Sequence, residues 1–179
     1  MIKLKTKRLI LRNFKVEDST TYVELRNDNK FKRFYDENDV TKDKSTSLLE
    51  MFITESKELP RTKYQLAITK KSGELIGSCG IRIEKHSKAS VGCELGRKYQ
   101  ATGYAYEASE RIIKYAFSEL NIHQLYAETI SENKAAIKLC KNLGMQLEFK
   151  AIKNKYFQGR WWDTSVLNMI NENYINNQA

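Results

Sequence analysis

Several residue types that build common protein sites are scarce in this chain. Among its 179 residues there are only two histidines and three cysteines. Because Cys79, Cys93 and Cys140 are odd in number and widely spaced, they suggest neither a disulfide framework nor a zinc cluster. A site with several histidine ligands is also poorly supported, and we expect no metal. We expect instead a reducing compartment, in which the cysteines are small core residues.

Long hydrophobic runs are also missing from the sequence. No stretch approaches the roughly 20 apolar residues that a membrane-spanning helix needs, and residues 1–5 lack the apolar segment of a signal peptide. We therefore expect a cytoplasmic protein with no membrane partner. Hydrophobic residues make up 41% of the chain, which is ordinary for a globular protein. The length favours a single domain over residues 1–179.

Negative charge is in deficit, because 31 lysines and arginines outnumber 22 acidic residues and give a formal charge of +9. Such a charge attracts anions of three kinds, namely nucleic acid, acidic protein or a polyphosphorylated cofactor. The basic residues are spread along the chain, so charge alone does not choose between them. The sequence has no helix-turn-helix or RNA-binding signature, which does not favour nucleic acid.

Apolar periodicity and turn residues predict the order β-α-α-β-β-β-α-β-α-β-β. We expect an α/β (α+β) fold with a single mixed, mostly antiparallel sheet of about seven strands, flanked by helices. Ser45 or Ser47 is expected to cap the second helix, which ends at Pro60, the only proline. Segment 27–44 is predicted to be irregular, and residues 170–179 to form a disordered tail. Hairpin turns are predicted at residues 71–73, 85–88 and 158–159.

One segment has the pattern of an anion site. A strand that ends at Leu95 is followed by a loop of small residues and a helix that begins near Gly103. The N-terminus of a helix has unsatisfied N–H groups and about half a positive charge, so a diphosphate binds there readily. Gly103 lets the backbone approach a phosphate closely, and Ala105 leaves the first turn unobstructed. The same pattern also occurs in a plain strand-loop-helix connection with one glycine.

Four motifs, in the expected order, resemble those of the GNAT superfamily of N-acetyltransferases. The run Gln100-Ala101-Thr102-Gly103-Tyr104-Ala105 is similar to the Q/R-x-x-G-x-G/A motif, whose amides bind the coenzyme A pyrophosphate. The run Gly92-Cys93-Glu94-Leu95 resembles the central strand of that family. Glu132-Asn133-Lys134-Ala135-Ala136, followed by Asn142-Leu143-Gly144-Met145, is similar to its asparagine motif and closing signature. The opening Thr6-Lys7-Arg8-Leu9-Ile10-Leu11-Arg12 resembles the ribosomal-protein N-terminal acetyltransferase branch.

The resemblance spans about residues 6–170 and implies a function. It implies direct transfer of the acetyl group of acetyl-CoA to a primary amine in a ternary complex, the amine being a protein N-terminus or a small molecule. A homodimer is compatible with the sequence. The residues implied in cofactor binding are Leu95, Gln100, Ala101, Thr102, Gly103, Tyr104, Ala105, Asn133 and Ala136.

The same resemblance suggests catalytic roles. An amine with a pKa of about 10 is mostly protonated at neutral pH, so a base or a water chain must remove a proton. Glu94 is the best-placed carboxylate for this task, and an ordinary exposed strand residue is the alternative. The backbone N–H of Leu95 would polarise the thioester carbonyl. Asn133 would contact the pantetheine arm or an ordered water, and it also suits a helix cap.

Two positions depart from the family pattern. Many relatives have a tyrosine seven residues after the asparagine, where this chain has Cys140, and the ribosomal branch has a serine where this chain has Ala136. A thiolate with a pKa of about 8.5 is a tolerable leaving group, so water can protonate it. We predict that Cys140 is a core residue. The departures leave open a catalytically weakened acyl-CoA-binding relative, and the positive charge leaves open a basic nucleic-acid-binding module.

The acceptor pocket is expected in the least patterned parts of the chain. Its candidate substrate-binding residues are Phe34, Tyr35 and Tyr156, whereas Trp162 is predicted to be core. The acidic stretch 36–39 either attracts a cationic amine or is a solvated loop. The sequence does not choose between these acceptor models.

Overall fold

The computed structural model describes residues 2–29 and 31–172 of the chain. The strands are β1 (Lys3–Lys5), β2 (Leu9–Asn13), β3 (Lys63–Lys70), β4 (Leu75–Ile83), β5 (Lys88–Leu95), β6 (Gln124–Ile130), β7 (Gln146–Phe157) and β8 (Arg160–Ile170). The α-helices are α1 (Ser19–Arg26), α2 (Lys42–Glu55), α3 (Tyr104–Ser118) and α4 (Lys134–Asn142). Within the described ranges, none of the helices combines the length and apolar character needed to cross a membrane.

The strands form one mixed sheet, as the sequence predicts. Their order is β1-β2-β3-β4-β5-β6-β8-β7, and β5 with β6 is the only parallel pair among the described strands. The predicted fold class is therefore confirmed, with one strand more than expected. The additional strand is β1, which pairs Leu4 with Leu11 of β2. Three residues are too few for an alternating pattern to be recognised.

Helices cover both faces of the sheet because its central strands are apolar on both sides. On β3, Leu66 and Ile68 belong to a core cluster with residues of α3. The intervening Ala67 packs instead with Tyr22 of α1 and Leu49 of α2. Adjacent residues of a strand point to opposite faces of the sheet. Helix α3 therefore lies on one face, and α1 and α2 lie on the other.

The sheet opens between β5 and β6. These strands pair only over residues 88–90 and 124–126. Beyond that point β5 continues along β4, and β6 continues along β8, so a gap forms toward the C-terminal ends of both strands. Helix α3 follows β5, and α4 follows β6. The N-termini of both helices consequently lie at the open end of this gap, which is where ligands bind in many α/β proteins.

Two hairpin turns have the backbone that their sequences require. His86 and Ser87 have φ of 58° and 53°, and Gln158 and Gly159 have φ of 52° and 71°. Positive φ at both central residues is the pattern of a type I′ turn, whose twist matches that of the flanking strands. These two of the three predicted turns are thus confirmed.

The second helix begins earlier than predicted. Its cap is Thr41, whose Oγ1 accepts a hydrogen bond from the backbone N–H of Lys44 at 3.2 Å. The expected caps, Ser45 and Ser47, are therefore wrong. Ser45 lies within the first turn of α2 and is buried. The segment predicted to be irregular thus contains a helix start, and before it two 3₁₀ turns, Lys32–Phe34 and Glu37–Val40.

The last strand reaches the first residue of the predicted tail. Strand β8 extends to Ile170, and the backbone N–H of Asn171 donates to the carbonyl of His123 at 2.8 Å. These two residues therefore do not belong to the predicted tail. Residues 173–179, on which the rest of that prediction falls, lie outside the described residues.

Candidate active site

A large cleft opens where β5 and β6 diverge. Its volume is about 1540 Å³, which exceeds the roughly 300–1,000 Å³ of typical small-molecule sites. Its walls come from residue 29 and segment 31–37, the end of β5 with the loop before α3, the starts of α3 and α4, and the β7–β8 turn. A cleft of this size has room for two molecules at once.

Most of the predicted cofactor residues meet at this cleft. Those that line it are Leu95, Gln100, Ala101, Gly103, Ala105, Asn133 and Ala136. Thr102 and Tyr104 are not in the lining. The Thr102 hydroxyl donates to the Tyr99 carbonyl at 2.6 Å, and the Tyr104 ring lies 4.4 Å from the Arg8 guanidinium. These two side chains therefore make contacts within the protein instead of facing the cleft.

The loop before α3 has a backbone that small residues adopt at least cost. Ala101 has φ of 58° and Gly103 has φ of 81°, which is the left-handed region that favours glycine. Gly103 is the residue at the N-cap of α3. A Cβ at this position would lie 3.2 Å from Nη2 of Arg8. The N-terminus of α3 thus borders the cleft with little side-chain bulk around it.

The backbone of Leu95 points into the gap. The Gly96 N–H donates to the Ile76 carbonyl of β4 at 2.9 Å. Because successive residues of an antiparallel strand alternate in direction, the N–H and carbonyl of Leu95 point away from β4. The Leu95 carbonyl accepts a hydrogen bond from Nε2 of Gln100 at 3.1 Å. The Leu95 N–H therefore points into the gap, which is the direction that it needs in order to stabilise an oxyanion.

Asn133 caps α4, as its sequence position suggests. Its Oδ1 accepts a hydrogen bond from the Ala136 N–H at 3.2 Å, which confirms the predicted cap. At the other end of this helix, Gly144 has φ of 90°, as expected for a glycine that ends a helix. The Asn133 amide also has two N–H donors. Since Asn133 lines the cleft, these donors can serve a ligand.

Glu94 lies between the cleft and the buried side of α1. Its Oε1 accepts hydrogen bonds from the hydroxyls of Tyr22 at 3.0 Å and Ser78 at 2.9 Å. Its Oε2 accepts one from Nη1 of Arg26 at 2.8 Å, and the Tyr35 hydroxyl lies 3.5 Å away. The side chain is 15% exposed, so it is not an ordinary exposed strand residue. A carboxylate has about four lone-pair sites that can accept hydrogen bonds. The site on Oε2 nearest Tyr35 has only the long contact with that hydroxyl.

Arg26 is the centre of this network, and no motif in the sequence points to it. It is 6% exposed, and its Nη2 donates to the Asp39 carbonyl at 3.0 Å. Its guanidinium also faces the rings of Tyr22, Phe31 and Tyr35, at 5.6–5.7 Å. Burial by itself lowers the pKa of Arg26, but the Glu94 carboxylate outweighs this effect and the net pKa is raised. Arg26 therefore stays charged and joins α1, segment 31–40 and β5.

Aromatic side chains build the far end of the cleft. Phe34 meets Trp162 edge to face at 6.1 Å, and Trp162 stacks on Phe157 at 4.9 Å. Nε2 of Gln158 donates to the Tyr35 carbonyl at 3.1 Å, which joins the β7–β8 turn to the 31–35 segment. Phe34, Tyr35 and Trp162 line the cleft. Trp162 is 5% exposed, which confirms that it is core.

Tyr156, the third candidate substrate-binding residue, lies outside the cleft. Its side chain is 59% exposed and packs against Trp161 at 5.3 Å. Neighbouring residues of a strand point to opposite faces. Because Phe157 and Trp162 point inward, Tyr156 and Trp161 point outward. The pleat of the strand, which the aromatic cluster in the sequence does not reveal, therefore places Tyr156 apart from Phe34 and Tyr35.

A second cavity of about 280 Å³ lies in the gap between β5 and β6. It shares Glu94, Asn133 and Ala136 with the large cleft, and Cys140 forms part of its wall. Cys140 is 8% exposed, which confirms that it is core, and burial raises the pKa of its thiol. Burial also raises the pKa of the neighbouring Cys93 to about 12. A thiol with a raised pKa is a poor nucleophile near neutral pH.

Positive charge predominates around the cleft. The cationic side chains that line it are Lys32, Arg33, Arg97, Lys138 and Arg160. Among the described residues, the carboxylates in the lining are Glu37 and Glu94, and Glu94 is already paired with Arg26. The cleft therefore attracts anions. Within the same part of the chain, no group of three or more histidine, cysteine or acidic residues is placed to hold a metal ion.

The sequence profile of the Acetyltransferase (GNAT) domain matches residues 8–146. This match spans most of the chain, including β5, the loop before α3 and Asn133. The chain belongs to the GNAT family of acetyltransferases. The predicted family is therefore confirmed, and this GNAT protein is an acyltransferase.

Other GNAT proteins resemble the chain along nearly its whole length. The uncharacterized N-acetyltransferase p20 of Bacillus licheniformis is 27% identical over 174 residues, which are 96% of this chain and 97% of the relative. The ribosomal-protein-S5-alanine acetyltransferase of Vibrio fischeri has a TM-score of 0.83 at 21% identity, over 97% of this chain and 99% of that one. The spermidine N-acetyltransferase of Vibrio cholerae, in complex with CoA and spermine, has a TM-score of 0.81 at 21% identity, over 96% of this chain and 100% of that one.

These two solved structures share the fold of this chain, yet they are named for different acceptors. One name refers to a ribosomal protein and the other to a polyamine. One fold can carry different specificities, which depend on the site grafted onto it. The acceptor must therefore be argued from the cleft of this GNAT protein and not from its fold.

Proposed function

We propose that this GNAT protein transfers the acetyl group of acetyl-CoA directly to a primary amine, with both substrates bound in the cleft together. One observation carries this proposal: a single cleft runs from the start of α3 to Phe34 and Trp162, and Glu94 and Asn133 lie along it. A bound cofactor and a bound amine would then meet at the end of β5. Such an arrangement needs no covalent enzyme intermediate.

On the cofactor side, the diphosphate would bind the N–H groups at the start of α3. The left-handed backbone at Gly103 and the absence of a side chain there support this role. Arg97 and Lys138, which also line the cleft, supply positive charge for the phosphates. The amide of Asn133 would hold the pantetheine arm or an ordered water.

We propose Glu94 as the proton acceptor. The attacking amine must lose a proton as its nitrogen bonds to the thioester carbon. Oε2 of Glu94 has only the long 3.5 Å contact with Tyr35 at its remaining lone-pair site, so the proton can reach it directly or through one water. The N–H of Leu95 would stabilise the oxyanion, because it points into the gap.

The departing thiolate would take its proton from water. At the two positions where related acetyltransferases have a hydroxyl, this chain has Ala136 and Cys140. Alanine has no proton to give, and burial raises the pKa of the Cys140 thiol. A thiolate with a pKa of about 8.5 leaves without strong acid assistance. Transfer is therefore compatible with both departures.

Among primary amines, we propose a peptide α-amine over a polyamine. Lys32, Arg33 and Arg160 line the aromatic end of the cleft, where Glu37 is the one carboxylate of the lining among the described residues and Glu132 pairs with Arg160 from outside the lining. A polyamine carries several positive charges and is repelled by these cationic side chains, whereas a peptide N-terminus carries only one positive charge. The opening motif, which resembles that of the ribosomal-protein acetyltransferases, supports the same choice.

Release of free CoA thiol in an acceptor panel tests the proposal. The panel contains short peptides with different N-terminal residues, spermidine and an aminoglycoside. We expect saturable release, with a higher kcat/KM for a peptide than for spermidine, and a preference for spermidine would contradict the acceptor class.

CoA binding without release from any acceptor would identify a catalytically weakened acyl-CoA-binding protein. A melting temperature that CoA does not raise, together with salt-sensitive binding of duplex DNA, would favour the nucleic-acid module.

A further inference from the structure

A cluster of hydrogen bonds joins the N-terminal segment to the first turn of α3, outside the cleft. The Arg8 Nε and its backbone N–H donate to Oε2 and Oε1 of Glu107 at 2.6 and 2.7 Å. The Thr6 hydroxyl donates to the same Oε1 at 2.6 Å. Burial by itself raises the pKa of the Glu107 carboxyl, but these hydrogen bonds outweigh it and lower the pKa. Glu107 is therefore ionised at neutral pH.

The same guanidinium also contacts the loop before α3. Nη1 of Arg8 donates to the Thr102 carbonyl at 3.0 Å, across 94 positions of sequence. Its Nη2 lies 3.2 Å from where a Cβ of Gly103 would stand, and the group covers the Tyr104 ring at 4.4 Å. One side chain, placed just before β2, thus contacts the loop at Thr102 and α3 at its first residue, Tyr104, and lies beside Gly103.

Stability alone does not account for this arrangement. The Arg8 side chain is 42% exposed, and ion pairs at such exposure contribute little to the free energy of unfolding. What distinguishes Arg8 is that its forked guanidinium reaches the helix and the loop at once, which a lysine cannot do in the same geometry. The arrangement therefore fixes the position of the loop relative to α3.

The position of Glu107 also creates an electrostatic conflict. It lies in the first turn of α3, where a carboxylate interacts favourably with the helix dipole. A diphosphate bound at the same N-terminus would be repelled by that carboxylate. The guanidinium of Arg8, paired with Glu107, cancels the charge without occupying the cleft.

We propose that Arg8 is a positioning residue of the cofactor site, which holds loop 100–103 in its diphosphate-binding conformation and neutralises Glu107. This inference rests on the proposed function, because it assumes that the loop binds CoA. Arg8 acts through Thr102, Gly103 and Glu107 and does not touch the cofactor itself. The opening motif and the loop motif, far apart in sequence, are then two parts of one phosphate site.

The direct test is the affinity for CoA, measured by isothermal titration calorimetry. We expect Arg8→Ala to weaken CoA binding about tenfold, the scale of a lost charge-assisted hydrogen bond. Arg8→Lys should show a smaller loss, because it keeps the charge that neutralises Glu107 but not the fork that holds the loop. Lys7→Ala is the matched control, since it removes the same charge from the exposed neighbouring residue and should bind CoA as the unmodified protein does.

A second measurement separates positioning from a general structural role. Acetyl-pantetheine lacks the diphosphate, so Arg8→Ala should lower the ratio of kcat/KM for acetyl-CoA to that for acetyl-pantetheine about tenfold. Equal losses with both donors, or an unchanged CoA affinity, would overturn the role of Arg8 and leave the proposed function standing. An unmodified protein that does not bind CoA would overturn both. If Arg8→Ala fails to fold, Arg8→Lys provides the same comparison.

Discussion

The two ends of the cleft are built in different ways. The cofactor end consists of β5, the following loop and the start of α3, which are consecutive in sequence, and its proposed binding groups are backbone N–H groups. The acceptor end consists of segment 31–37 and the β7–β8 turn. These two parts meet only through tertiary contacts, such as that of Gln158 with the Tyr35 carbonyl across 123 positions of sequence.

This difference explains why one end could be anticipated from the sequence and the other could not. A site made of backbone groups needs only a few small residues at fixed spacing, so it leaves a motif. A site made of side chains from distant segments has no fixed spacing. The family is therefore recognisable from the cofactor end, whereas the acceptor depends on packing.

The largest expected effect is at the cofactor end. We predict that Gly103→Arg weakens CoA binding about 1000-fold, because the new side chain must adopt a left-handed backbone, displace Arg8 and obstruct the helix N-terminus. Calorimetric titration with CoA measures it, and acceptor binding should be little affected.

Gly73→Arg is the matched control for that variant. Gly73 has φ of 94° and no atom within 4 Å of a Cβ there, so it has a similar backbone cost without obstruction. An unchanged affinity in the Gly103 variant would remove the loop as the phosphate site.

The second-largest effect is expected at Glu94, where the cofactor end and the acceptor end of the cleft meet. We predict that Glu94→Gln lowers kcat about 100-fold, the usual range for loss of a general base, with little change in CoA affinity. Glu84→Gln is the control, since Glu84 accepts a hydrogen bond from Tyr126 outside the cleft. An unchanged kcat in the Glu94 variant would argue against Glu94 as the base.

The smallest effect is expected at the acceptor end. We predict that Phe34→Ala raises the acceptor KM about tenfold, because it removes apolar contact area worth about 1.5–3 kcal/mol, while CoA affinity stays the same. Steady-state kinetics with the best peptide of the panel measures it. Tyr156→Ala is the control from the outward face of the β7–β8 hairpin. Equal effects of the two variants would mean that the aromatic end of the cleft does not bind the acceptor.

Some features of the site were beyond sequence reasoning for identifiable reasons. Arg26 was missed because a cation on a short helix is usually solvent-exposed, although its i, i+4 spacing from Tyr22 places both on one face of α1. The outward position of Tyr156 was not anticipated because an aromatic cluster on a hairpin does not reveal which face the pleat turns inward. Strand β1 was missed because it is only three residues long.

The sequence by itself determined the order of the elements, the family, the helix cap at Asn133 and the small-residue loop before α3. Each of these depends on local propensity or short spacing, which the chain encodes without reference to distant parts. Only the tertiary structure decided that Glu94 is held by Arg26, that Arg8 clamps Glu107 and Thr102, and that Phe34 faces Trp162. These contacts join residues far apart in sequence, which come together only when the helices and loops pack on the folded sheet.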